Sequence, residues 1–125
     1  MLNINIDYTA HPSTEMNKVC CNVSDGAAVE TAEKMIQHYK DVAERAGQPF
    51  TMTQTINQSL MLSAIRLIVQ RGCIDCNDIK FVWWEGGVQI EEHPNQYGRL
   101  ARYPRVDHGQ LIVMELIQNG LKKSK

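Results

Sequence analysis

The segment Tyr97-Gly98-Arg99-Leu100-Ala101-Arg102-Tyr103-Pro104-Arg105 gathers three guanidiniums and two phenol rings. A guanidinium makes paired bonds to carboxylate or phosphate, and aromatic rings stack on bases. The segment therefore suits an anion, a nucleic acid or an acidic protein surface. Its plainer role is a solvated loop whose arginines pair with Glu91, Glu92 or Asp107. Just upstream stands Trp83-Trp84. In a regular strand, neighbouring side chains point to opposite faces, so one indole enters the core. The other covers a second layer or stands exposed as a partner anchor, a role in which Trp is enriched.

Cys73-Ile74-Asp75-Cys76 is a lone Cys-x-x-Cys. A zinc site would need two further ligands, and Cys20-Cys21 is the weak candidate pair to supply them. Adjacent cysteines in a strand point apart, and redox motifs open a helix rather than follow one. Ordinary thiols are the expectation for all four. His11, His38, His93 and His108 are dispersed, with no pair at metal-ligand spacing. The sequence holds no Gly-rich phosphate loop, His-Glu-x-x-His pair, nucleophile elbow or acidic metal cluster. No catalytic residue, metal or cofactor is expected.

The composition is that of one ordinary globular domain: 125 residues, 43% hydrophobic and 22% charged. Net charge is −1, so no global field recruits nucleic acid or a membrane. Charge is uneven, with six basic residues against two acids from Arg99 to Lys125. The start, Met1-Leu2-Asn3-Ile4-Asn5-Ile6-Asp7, carries no secretory pattern, and no apolar run reaches the roughly 20 residues of a membrane span. With cysteines best explained as reduced thiols, the expected location is the cytoplasm.

Periodicity supplies the elements that would position these groups. Leu2, Ile4, Ile6 and Tyr8 alternate with polar residues as in a half-buried strand, and residues 18–23 read as a second. Ser24 or Asp25 is placed to cap a helix over 27–46, whose apolar positions form a three-and-four stripe stopped by Gly47. Residues 50–55 favour a strand, although Thr51 and Gln54 also fit a capping box. A helix over 57–71 is apolar around most of its circumference, as in helices buried on several sides. Strands at 79–84 and 88–92 flank Glu85-Gly86-Gly87, a hairpin signal. A loop over 93–103 leads to a last helix capped by Asp107, with its body at 111–121, and a basic tail at 122–125. The expected fold is one α/β domain, with α+β as the alternative. It has about five strands in a mixed sheet and three helices, the last covering the second sheet face.

The run Gln48-Pro49-Phe50-Thr51-Met52-Thr53-Gln54-Thr55-Ile56-Asn57-Gln58-Ser59, with the helix and hairpin after it, resembles the C-terminal half of SMC/RecF-type ABC ATPase heads. Asn57 stands where that family has its switch histidine. Cys21-Asn22-Val23-Ser24-Asp25 replaces the Walker B end, and the Walker A and signature motifs are absent. The resemblance therefore implies a degenerate scaffold used for binding, without ATP hydrolysis. From the residues themselves we expect a small non-enzymatic binding protein of adaptor, immunity or inhibitor type. Its site would comprise Trp83, Trp84, Tyr97, Arg99, Arg102, Tyr103 and Arg105. A protein partner is the first expectation; nucleic acid or phosphate is the alternative, and homodimerisation stays open.

Overall fold

A computed structural model describes residues 1–9, 19–20 (backbone only), 26–104, 116–117 and 119–120. The strands are β1 (Leu2–Ile6), β2 (Val19–Cys20), β3 (Met52–Ile56), β4 (Ile79–Glu85) and β5 (Val88–Glu92). The helices are α1 (Ala28–Ala46) and α2 (Ser59–Gln70). One sheet runs in the order β2-β3-β1-β4-β5, four full strands with the two-residue β2 at one edge. β1 lies at the centre, parallel to both β3 and β4, and β5 closes the other edge antiparallel to β4.

Leu2, Ile4 and Ile6 of β1 are buried on one face, level with Ile56 of β3 and with Ile79 and Phe81 of β4. Residues paired across a ladder share a face, so these strands present one apolar surface. Both helices cover it. α1 contributes Ala28, Ala32, Met35, Ile36 and Tyr39, and α2 contributes Met61, Leu62, Ile65, Ile68 and Val69 to the same core. At roughly 1.5–3 kcal/mol for each large apolar side chain removed from water, this layer holds the fold. The helices pack on one another in a single layer. The expected α/β class is thereby corrected to its alternative, α+β. The expected third helix lies mostly outside the described residues, which give helical backbone at 116–117 and 119–120.

Several local expectations shift. β1 ends at Ile6 rather than Tyr8, because the Asp7 carboxylate accepts from Thr9 N at 3.0 Å and turns the chain. The N-cap of α1 is Ala27, which has no side-chain cap; Ser24 and Asp25 lie outside the described residues. Residues 52–56 form the strand and not the capped helix start, since Gln54 is buried in the sheet. α2 begins two residues later than expected, after Gln58 in extended conformation. The hairpin forms as expected, with Gly86 at φ 56° and Gly87 at φ 79°.

After β5 the chain crosses to the helix side. The His93 ring nitrogen Nδ1 lies 3.0 Å from the Ile79 carbonyl at the start of β4, and Leu100 is buried in the core. This crossing explains why α2 is apolar on so many sides: the sheet, α1 and residues 94–103 all press on it. At the same end of the sheet the Tyr39 hydroxyl accepts from the Met1 amino group at 2.6 Å and donates to Asp78 Oδ2 at 3.0 Å. Burial first, then the Asp78 carboxylate, pushes the phenol up to about 12.

Candidate binding cleft and arginine loop

The C-terminal ends of parallel strands are where open sheets usually hold ligands. Here a cleft of about 480 Å³ lies at the ends of β1 and β4, lined among others by Asp7, Tyr8, Trp84, Glu85 and Pro104. The parity of β4 sets its walls. Trp83 is buried on the helix side, and its indole N–H donates to Glu85 Oε1 at 3.0 Å. Trp84 points to the face that α1 and α2 leave uncovered and is 64% exposed. The expectation of one indole per face is met, and the second is exposed.

Asn5 pairs with Val82 in the β1–β4 ladder. Continuing that register by two residues sets Asp7 level with Trp84. Asp7 still donates its backbone N–H to Ile56 at 2.9 Å, so the chain is extended at that point. Asp7 Oδ1 accepts from the Thr9 amide and hydroxyl, at 3.0 and 2.6 Å. Among the described residues neither Asp7 nor Glu85 meets a Lys, Arg or His, and no cleft-lining residue is basic.

The arginine-rich loop is held from beneath. Asn95 Oδ1 accepts from the amides of Tyr97 and Arg99 at 2.9 and 3.0 Å, which winds the turn. Arg66 of α2 then clamps it: Nε donates to the Gly98 carbonyl at 2.7 Å, and a terminal nitrogen donates to the Tyr103 hydroxyl at 2.8 Å. The guanidinium carbon also lies 4.7 Å from the Tyr103 ring centroid. Gly98, at φ 76°, touches the Arg66 backbone so closely that a β-carbon would fall 2.3 Å from its carbonyl oxygen.

Arg99 and Arg102 are exposed and make no side-chain hydrogen bond or ion pair among the described residues. Glu91 pairs with Lys80 at 3.3 Å rather than with either of them. Tyr97 is exposed as well, while Tyr103 is partly engaged by the Arg66 clamp. Arg105 lies outside the described residues. The expected neighbourhood of loop and hairpin is thus divided: the loop is anchored on the helix side, Trp84 projects from the other, and Pro104 joins them at the cleft.

Sequence reasoning missed Arg66, Asn95, Asp7 and Glu85. Arg66 carried a signal, as the lone charged residue of α2. Cys73 is exposed and Cys76 half-buried, and both are free thiols. Cys21 and the Cys20 side chain lie outside the described residues. No group of three or more His, Cys, Asp or Glu is arranged for a metal among the described residues. No helix described is long and apolar enough to cross a membrane. A scan against protein-family models finds no match, and searches of curated proteins and of solved structures find none.

Proposed function

We propose that the chain is a small non-enzymatic binding protein that engages a protein partner through Trp84 and the cleft beside it. The observation that carries this is the exposed indole on the sheet face that α1 and α2 leave open, next to a concave site. Leaving so large an apolar side chain in water forgoes its burial free energy, and tryptophan recurs at the energetic centre of interfaces. The test uses wild-type and Trp84→Ala chains as baits in native lysate, with the retained proteins identified by mass spectrometry. An exposed position predicts a change in folding stability within about 0.5 kcal/mol. Loss of a retained partner, with direct affinity falling by about ten-fold or more, supports the reading. The same partners at unchanged affinity would refute it.

A second reading places phosphate or nucleic acid on the loop, through the free guanidiniums of Arg99 and Arg102. Its support is that the loop is held rigid while these two side chains stay unpaired among the described residues. A single-stranded oligonucleotide bound there would be lost steeply as salt rises. The Arg99→Ala, Arg102→Ala double variant would fold normally and bind at least about ten-fold more weakly.

A further inference from the structure

The β5 edge of the sheet says more about the partner. We infer that β5 takes an extended segment of the partner protein as a further, antiparallel strand, with basic side chains set against Glu91 and Glu92. This rests on the protein-binding reading above and adds the geometry and charge of the contact.

Gly86 and Gly87, both at positive φ, make a two-residue turn between β4 and β5. Such a turn closes on a bond between the residues that flank it, so Glu85 and Val88 form a hydrogen-bonded pair. Pairs alternate along an antiparallel ladder, so Trp83 with Ile90 and Phe81 with Glu92 bond likewise. The backbone N–H and C=O groups of Gln89 and Glu91 therefore point away from β4. β5 is the edge strand there, and among the described residues these groups meet no backbone partner. Proteins commonly blunt such an edge with proline, a bulge or a covering segment. β5 has no proline or glycine, its pairing with β4 runs in register without a bulge, and Val88, Gln89 and Glu91 are exposed.

Charge and register choose the occupant, and antiparallel pairing is the more stable per residue. β5 carries Glu91 and Glu92 and no basic residue. Pairing between two copies of β5 would gather the Glu91 and Glu92 carboxylates of both into one ladder, where like charges repel. Lys80 is the only cation that β4 or β5 of each copy would bring to it. A basic segment instead meets Glu91 on the Trp84 face and Glu92 on the helix side, because successive residues point to opposite faces. The residue set against Gln89 stands in the same row as Trp84, so one partner reaches both the indole and the edge.

The peptide acetyl-Lys-Lys-Val-Thr-Val-amide tests this, since its antiparallel register sets the lysines against Glu92 and Glu91 and the threonine against Gln89. A control peptide carries N-methyl groups on the second lysine and the threonine, whose amides would donate to β5. In the free protein the Gln89 and Glu91 amides should exchange with water at least about ten-fold faster than that of Ile90. The peptide should slow both, move their resonances saturably in ¹⁵N-labelled protein, and bind about ten-fold or more tightly than the control. The Glu91→Gln, Glu92→Gln double variant should bind it about three-fold or more weakly. Gln89→Pro should fold, because an edge tolerates proline where the N–H faces outward, and should lose the peptide. Equal binding of the two peptides, an unaffected double variant, or no shift at all would overturn the inference. Slow exchange at Gln89 and Glu91 in the free, monomeric chain would also overturn it, since the chain's own residues would then hold the edge. Self-association that Gln89→Pro abolishes would make a second copy the occupant and overturn it likewise. The two readings fail separately. A natural partner lost by Trp84→Ala but kept by Gln89→Pro leaves protein binding standing and removes the added strand.

Discussion

Gly98→Ala should destabilise the protein well beyond an ordinary glycine replacement, and the structure supplies its own control in Gly87. Both glycines have nearly the same backbone, φ 76° and φ 79°. An alanine at either one costs about 1–2 kcal/mol for the left-handed conformation. Each recovers about 0.4–1 kcal/mol from a less flexible unfolded chain. These contributions cancel in the comparison. What differs is space: a β-carbon at Gly87 meets nothing within 4 Å, whereas at Gly98 it falls 2.3 Å from the Arg66 carbonyl oxygen. That oxygen belongs to helix backbone and cannot rotate away, so the loop must lift off. Lifting it gives up the Arg66 Nε bond to the Gly98 carbonyl, a charged donor whose bond contributes about 1.5–3 kcal/mol. Part of the Leu100 burial goes with it. The excess of Gly98→Ala over Gly87→Ala should therefore be about 2–4 kcal/mol in urea unfolding, bounded above by the whole contribution of the loop. Arg66→Met should recover part of that gap when combined with Gly98→Ala, because the bond at stake is then already absent. Equal unfolding free energies for the two single alanine variants would show that residues 94–103 are not seated on α2, and the clamp would fall with that result.

The Tyr39 phenol gives a pH test. Its proton is held more firmly in the folded chain, about 12 against an ordinary 10. The stability it contributes is complete below pH 10 and is lost as pH rises from 10 through 12, about 3 kcal/mol in total. Tyr39→Phe should show a shallower fall in urea midpoint over that window, and parallel curves would count against the Asp78 pairing. Optically, Trp84→Phe should leave a fluorophore poorly quenched by acrylamide, because Trp83 is buried, while Trp83→Phe should leave one that is readily quenched. Matching quenching constants would contradict the assigned strand parity.

How much was legible beforehand divides along range. Helix stripes, the Gly47 stop, the Gly86-Gly87 turn and the alternation of Trp83 with Trp84 are properties of a few successive residues, so the chain's local pattern determined them. The strand at 52–56 was favoured by β-branched content and alternation, but Thr51 and Gln54 also fit a helix cap; pairing with β1 is what excludes the cap. Pairing also brought Leu2 level with Met52 and Ile79, residues some 50 and 77 positions away. No local signal specifies such partners, since they are selected by the apolar face they build together. The candidate site follows the same rule. Tyr97, Arg99 and Trp84 drew attention by residue type, whereas Asp7 came level with Trp84 through strand register, and Glu85 met the buried Trp83 indole through strand parity. Arg66 became the loop's anchor because the chain after β5 turns back over α2, burying Leu100 and bringing the Gly98 carbonyl within reach of a guanidinium.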